Sequence, residues 1–247
     1  MFDFFKKKYF LVDFLEDFID IHNHILPGID DGAKNVDDSI ALIKGFGEFG
    51  VTDFIATPHI MNSYYPNNPK TINDALILLK NGLLQQKMKH VSIRAAAEHM
   101  IDDNFETLLE HEEIMPLGGN YLLVEMSFLQ ASINFEQALK KIRQKGYFAI
   151  FAHPERYLYL HSNLHLHKSY KKQGVLYQMN LLSLSKYYGK EVQQMASRLL
   201  DQGMIDFVAT DVHNLRQLNS LKEVQVSTKM SDILKPIMDK SHSTFIG

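Results

Sequence analysis

The sequence predicts a single α/β domain, either a barrel or an open doubly wound sheet, on three observations. Seven apolar, β-branched-rich strand candidates alternate with segments at helical spacing. No Pro/Gly/Ser-rich linker, low-complexity tract or short repeat divides the 247 residues, a length that suits one large core. Six strand ends close on His, Glu or Asp: His22 and His24, His59, Glu98, Glu125, His153, and Asp211 with His213. In a barrel such ends converge on one mouth, where barrel active sites sit.

The first strand is Phe18-Ile19-Asp20-Ile21-His22-Asn23-His24-Ile25. Alternation puts His22 and His24 on one side, with Asp20 one pleat deeper on that face. Pro27-Gly28 and Asp30-Asp31-Gly32 stop the strand with turn residues. Residues 36–49 carry Ile40, Leu42, Ile43, Phe46 and Phe49 at helical spacing. Gly45-x-Gly47-x-x-Gly50 has dinucleotide-binding spacing, but it ends a helix and precedes a strand, the wrong order for cradling phosphate.

Residues 53–57 form a buried-type strand running into Pro58-His59, with a loop beyond it holding Tyr64 and Tyr65. A helix over 71–89 precedes a strand over 91–97, which leads to Glu98-His99, and a short helix follows over 104–112. The strand over 121–124 ends in Glu125, and a helix spans 135–145. The strand over 147–152 runs into His153-Pro154-Glu155-Arg156. Residues 157–172 read as a helix surface with partly exposed imidazoles at His161, His165 and His167. A strand over 174–180, a helix over 190–200 and a strand over 206–210 complete the pattern. Beyond Leu215 the chain is expected to be weakly helical and to fray.

Composition removes several classes of function. At 45% hydrophobic and 22% charged, with a net charge of -3, nothing advertises nucleic acid or an anionic membrane as a partner. The absence of cysteine excludes disulfides, zinc-thiolate sites and a cysteine nucleophile. No apolar run approaches a membrane span, and the start has no apolar signal-peptide core, so a cytoplasmic protein is expected. Phe2, Phe4 and Phe5 beside three lysines read as a frayed or locally docked terminus rather than a membrane contact.

Five imidazoles and three carboxylates, with no thiolate, suit Mn²⁺, Fe²⁺, Zn²⁺ or Mg²⁺ without selecting among them. Eight donors exceed the needs of one ion and imply two or three, with a carboxylate such as Glu98 bridging. Three divalent ions over three carboxylates would leave a charge that a phosphate dianion and a hydroxide neutralise. Such a cluster lowers the pKa of bound water from about 16 towards 7 and dispenses with a protein nucleophile. Arg156 can fork to phosphate oxygens. Asp31 can protonate a leaving oxygen or orient water, or simply cap its turn.

The ordered set Asp-x-His-x-His, Pro-Gly-x-Asp-Asp-Gly, Thr-Pro-His, Ala-x-Glu, Glu-Met, His-Pro-Glu-Arg and Thr-Asp-x-His, from about Asp20 to His213, resembles the polymerase and histidinol phosphatase superfamily. More narrowly, it is similar to the manganese-dependent tyrosine-protein phosphatases of bacterial capsule and exopolysaccharide loci. The resemblance implies a distorted (β/α)7 TIM-like barrel over residues 18–247, after an extension at 1–17. Its metal site lies at the C-terminal ends of the strands. It implies two or three divalent ions, manganese foremost, on His22, His24, His59, Glu98, Glu125, His153, Asp211 and His213, with Arg156 on phosphate and Asp31 catalytic. It further implies a phosphotyrosine protein as substrate, on the tail of a bacterial tyrosine kinase, and a cytoplasmic location near the inner membrane face through that partner. One departure is Leu218, where such relatives carry a second arginine; Arg216 and Lys222 are the nearby candidates.

Tyr64 and Tyr65 near the mouth are expected to stack on the substrate phenol ring. A small-molecule phosphatase acting on a metabolite such as histidinol phosphate would use the same metal chemistry. A non-catalytic metal-binding module shielding a kinase tail is the third reading, one that would not require a water-activating cluster.

Overall fold

The computed structural model describes residues 8–246. In chain order the strands are β1 (Lys8–Phe10), β2 (Ile19–Asp20), β3 (Asp53–Ala56), β4 (His59–Ile60), β5 (Ser92–Ala95), β6 (Glu98–Met100), β7 (Tyr121–Glu125), β8 (Phe148–Ala152), β9 (Leu176–Asn180), β10 (Phe207–Ala209) and β11 (Gln225–Ser227). The helices are α1 (Val36–Gly47), α2 (Pro69–Gln85), α3 (Phe105–Glu110), α4 (Phe135–Gln144), α5 (Leu164–Lys172), α6 (Lys190–Asp201), α7 (Leu215–Lys222) and α8 (Thr228–Phe245). Among the described residues no helix is long and apolar enough to cross a membrane.

The alternation of strands and helices gives parallel sheets, as the sequence pattern requires of βαβ units. They are two sheets, with orders β10-β9-β8-β7-β6-β4 and β2-β3-β5, rather than one closed ring. The predicted strands over 53–57 and 91–97 supply β3 and β5 of the smaller sheet, and the residues just beyond each form a further strand, β4 and β6, in the larger one. Thr57-Pro58 separates β3 from β4, and Ala96-Ala97 separates β5 from β6. Proline has no N–H to continue a ladder, so the first break falls where the sequence demands it. The free edges of β2 and β10 meet through a parallel bridge between Asn23 and Val212, with the His24 amide donating to the Val212 carbonyl at 3.0 Å and the Asp211 amide to the His22 carbonyl at 2.8 Å.

Alternation sorts side chains into two apolar layers. Ile19, Ile21, Ile55, Leu123, Ile150, Phe207 and Ala209 pack together between the sheets, closed by Phe245. Phe54, Leu122, Val124, Phe151 and Val208 face the helices on the other side. Asp20 therefore does not lie beneath the histidines, contrary to the alternation expected from sequence. Its neighbours Ile19 and Ile21 take the inward face, and its carboxylate accepts from the Thr210 amide at 3.0 Å and the Thr210 hydroxyl at 2.6 Å.

The C-terminal segment does not fray. Ser227 caps α8 by accepting from the Met230 amide, and the helix continues through Pro236 to Phe245. Buried Leu234, Met238, Ser241 and Phe245 recur at helical spacing, and packing of that stripe overrides the proline. At the other end of the chain, β1 pairs antiparallel with β11, and Leu11 and Leu15 are fully buried. The phenylalanines at positions 2, 4 and 5 lie outside the described residues.

Candidate active site

Polar side chains stand beyond the C-terminal ends of β2, β3, β5, β8 and β10 and at the last residue of β7. His22 and His24 follow β2, His59 opens β4, Glu98 opens β6 and Glu125 ends β7. His153 follows β8 in a left-handed conformation at φ 35°, and Asp211 follows β10 at φ 53°. The Asp30-Asp31-Gly32 turn folds back over His24. A side chain at Gly32 would place its Cβ 2.0 Å from the His24 carbonyl oxygen, so only glycine permits this approach.

These residues meet in one cluster. His22 Nε2 lies 3.2 Å from Glu98 Oε2 and 3.4 Å from Asp211 Oδ1, and His24 Nε2 lies 3.3 Å from that Asp211 oxygen. His59 Nδ1 is 3.0 Å from Glu98 Oε2 and 2.9 Å from Glu125 Oε1, and His153 Nε2 is 3.0 Å from Glu98 Oε1. Four overlapping groups have all their donor atoms within 4.8 Å of one another: His22/His24/Asp211, His22/Glu98/His153, His59/Glu98/Glu125, and His24/Asp31/His59/His213. All eight sequence-predicted donors are thus brought together, and Asp31 joins them, 3.4 Å from His59 Nε2 and 3.5 Å from His213 Nε2.

The buried donors are aimed but unspent. His22 Nε2, His24 Nε2, His59 Nδ1, Glu98 Oε2 and Glu125 Oε1 are inaccessible to solvent and make no hydrogen bond. Leaving so many buried polar atoms unpaired is costly unless something else engages them. The opposite ring nitrogens are held. Gln178 Oε1 accepts from His22 Nδ1 at 2.8 Å, Asp30 Oδ2 from His24 Nδ1 at 2.8 Å, and the Asp211 carbonyl from His213 Nδ1 at 2.9 Å. That arrangement keeps a proton on Nδ1 and leaves the inward Nε2 as the nitrogen that can give up its proton to a metal. The nitrogen and oxygen donors fit divalent metal.

Electrostatics agree. Burial alone would raise the carboxylates, yet His22 and His59 hold Glu98 well below its ordinary range, and His22 and His24 do the same for Asp211. Burial lowers His22 and His59, but the facing carboxylates outweigh it and raise both. His24, opposed by burial and favoured by Asp30, is raised to about 10. The facing carboxylates therefore favour positive charge on His22, His24 and His59, whereas burial and the neighbouring His24 lower His213 to about 4.

Arg156 is clamped beside this cluster. Its guanidinium carbon lies 4.3 Å from the centre of the Phe128 ring and 4.2 Å from that of Tyr188, while Nη1 donates to Asp211 Oδ2 at 2.8 Å. Asp211 offers Oδ1 to the histidines and Oδ2 to the arginine. A cavity of about 230 Å³ opens over Asp31, His59, Glu125, Phe128, His153, Arg156, Asp211, His213, Asn214 and Gln217. A larger one, about 520 Å³, lies between the N-terminal segment and α8, away from the cluster.

A family model described as capsular polysaccharide synthesis, CpsB/CapC, matches residues 18–230. The chain belongs to this family. It is 32% identical over 202 residues to the tyrosine-protein phosphatase YwqE of Bacillus subtilis, covering 81% of this chain and 79% of that one. It is 27% identical over 203 residues to the tyrosine-protein phosphatase CpsB of Streptococcus pneumoniae, covering 80% and 83%. A crystal structure from work on YwqE and CpsB, described as metal-dependent tyrosine phosphatases, superposes with a TM-score of 0.79. It has 27% identity over 92% of this chain and 91% of that chain.

Against that CpsB/CapC background, several sequence expectations land elsewhere. Tyr65 stacks on His59 at 5.5 Å and Tyr64 is largely exposed on the adjoining turn; neither lines the cavity. Leu218 is buried against Gly45 of α1, a core position. Lys222 pairs with Glu48 at 2.8 Å on α1's end, and Arg216 is exposed and does not line the cavity; from α7 and its cap the lining residues are Asn214 and Gln217. His161 precedes α5 and donates to the Glu155 carbonyl, and buried His167 bonds the Tyr177 hydroxyl. The sequence reading missed Gln178, Asp30, Phe128 and Tyr188. Asp30 sat in the quoted turn and was recoverable; Phe128 and Tyr188 carry no local signal, because the fold alone joins them to Arg156.

Proposed function

We propose that this CpsB/CapC member is a metal-dependent protein-tyrosine phosphatase. It would hydrolyse phosphotyrosine on a protein, the tail of a bacterial tyrosine kinase being the substrate implied. The observation that carries this reading is one cluster of buried imidazole and carboxylate donors, several of them with an atom that makes no hydrogen bond, whose outer members His59, Glu125, His153, Asp211 and His213 line a cavity beside a clamped arginine. Two or three divalent ions, with manganese the first to test and iron, zinc or magnesium next, would be held by His22, His24, His59, Glu98, Glu125, His153, Asp211 and His213. When bound, they supply an acidified water and charge neutralisation at phosphate.

The protein's own part is positional. Arg156 spends one N–H on Asp211 and has others to fork to phosphate oxygens, and its two rings fix the plane of that fork. Asp31, at the solvent edge near His59 and His213, holds water or the departing tyrosine oxygen, or joins the ligand set. Tyr64 and Tyr65 lie outside the cavity lining on the His59 side, where Tyr65 stacks on that ring. Water attacks phosphorus, the bond to the tyrosine oxygen breaks, and phosphate and tyrosine leave.

The architecture fits a distorted seven-stranded barrel, since β3 with β4 and β5 with β6 are continuous in the chain and the Asn23–Val212 bridge spans the remaining seam. Residues 18–247 form the catalytic domain and 1–17 an extension. A cytoplasmic site near the inner membrane face belongs to the kinase part of this reading.

The test is phosphate release from a phosphotyrosine peptide by metal-stripped protein with and without Mn²⁺, beside His22→Ala and Arg156→Ala. Metal-dependent turnover, abolished in the first variant and weakened in the second, is expected. Efficient release from histidinol phosphate with the peptide left intact would overturn the substrate assignment.

A further inference from the structure

The described residues' two most exposed large apolar side chains are Leu129 at 92% and Ile133 at 103% of full exposure. Both lie on the loop after β7, whose Phe128 lines the cavity and covers Arg156. Leu158, also exposed, sits on a neighbouring segment. The two segments are joined side by side, with the Tyr159 hydroxyl donating to the Ser127 carbonyl at 2.8 Å and the Phe128 ring stacked on Tyr157 at 5.4 Å.

The loop is pinned. The Met126 amide donates to the Tyr157 hydroxyl at 3.0 Å, and the Ser132 hydroxyl donates to the Ile101 carbonyl at 2.7 Å. The two bonds anchor the loop on either side of Leu129 and next to Ile133. A grouped, preformed apolar rim of this kind marks a binding surface. The opposite wall, with Asp31, Asn214 and Gln217, is polar.

We infer that the rim of Phe128, Leu129, Ile133 and Leu158 receives an apolar or aromatic residue beside the phosphotyrosine of the substrate. This selects phosphotyrosine segments with such a neighbour over those flanked by small polar residues. The inference rests on the phosphatase reading of the site. Continuity is its ground: Phe128 belongs to both cavity and rim, so a peptide seated with its phosphate at Arg156 extends over the rim. A lipid surface is the weaker fit, because residues 126–135 contain no lysine or arginine to meet anionic headgroups.

The test compares the Mn²⁺-loaded protein with a Leu129→Ser/Ile133→Ser double variant on three substrates. These are p-nitrophenyl phosphate, a phosphotyrosine peptide flanked by leucine, and one flanked by serine. The variant is expected to lose about 10-fold in kcat/KM on the leucine peptide, mostly through KM, as the loss of two partly buried aliphatic contacts requires. It should match the parent on p-nitrophenyl phosphate and the serine peptide. Binding of a non-hydrolysable phosphonate version of the leucine peptide, followed by fluorescence anisotropy without added metal, should weaken in parallel.

Equal rates on all three substrates would overturn the inference alone. So would loss of sedimentation with phosphatidylglycerol vesicles while peptide kinetics hold. A parent protein that cleaves p-nitrophenyl phosphate but neither peptide would overturn the substrate reading together with this one.

Discussion

The two ends of the strand-lined interior carry opposite chemistries on the same strands. Leu123 packs among hydrocarbons, and two residues later Glu125 faces the cluster; Phe207 and Ala209 are followed by Asp211, and Ile55 by His59 across the proline break. The lower half is satisfied within itself. The upper half is buried nearly as deeply yet leaves several of its inward polar atoms without a hydrogen bond. The contrast teaches that stability and chemistry are separated along the strand axis, so each can be broken alone.

The largest effect should come from the upper half. Glu98 faces four of the histidines, and for Glu98→Gln a loss on the order of 10³-fold in kcat is expected, with the circular-dichroism spectrum unchanged. In the parent, Mn²⁺ should raise the melting temperature of stripped protein, and in Glu98→Gln that rise should shrink. Unaltered turnover would remove Glu98 from the site.

In the lower half, Leu123→Ala should do the reverse. It should lower unfolding free energy by about 3 kcal/mol in urea titrations while the folded fraction keeps its kcat. A kcat that collapses with the protein still folded would show the two halves to be coupled.

His99, next to Glu98 in the chain, tests the boundary through pH. Its Nδ1–H donates to the Leu123 carbonyl and its Nε2 accepts the Met115 amide, so it is neutral, and burial lowers its pKa to about 4. Unfolded, it titrates near the ordinary value of 6.5. The stability it contributes is whole above about pH 6.5 and is lost as pH falls towards 4, by up to about 3 kcal/mol. Urea midpoints of parent and His99→Gln, measured at about pH 7.5, 5.5 and 4.5, should converge at the acid end.

The smallest effect is expected one step outside the cluster. Asp30→Asn leaves a hydrogen-bond acceptor for His24 but removes its charge, and should weaken Mn²⁺ affinity about 10- to 100-fold by calorimetry with little change in fold.

The sequence revealed the cluster because its donors sit at strand ends, where a one-dimensional pattern suffices. From Leu123 to Glu125 and from Ala209 to Asp211 the alternation simply continues into the site. At β2 and β8 it slips by one residue. Ile21 faces inward and so does His22, and Ala152 faces inward with His153 turned by its left-handed backbone. Such slips are decided by the neighbouring strand and not by local composition, which is why Asp20 was misplaced. Two sheets appeared where one run of strands was expected, because the breaks at Pro58 and Ala96-Ala97 redirect pairing. The aromatic clamp on Arg156 joins residues 128, 156 and 188, a proximity that belongs to the fold alone.

The left-handed backbone of His153 has an evolutionary consequence. That conformation suits glycine or asparagine, and holding histidine in it costs about 1–3 kcal/mol. Selection for abundance alone therefore pushes this position away from histidine, and only selection for catalysis keeps it. In a lineage that no longer needs the reaction, His153 should be among the first cluster residues to drift to glycine or asparagine while the fold persists. A descendant carrying that replacement would be a sturdier protein and a retired enzyme.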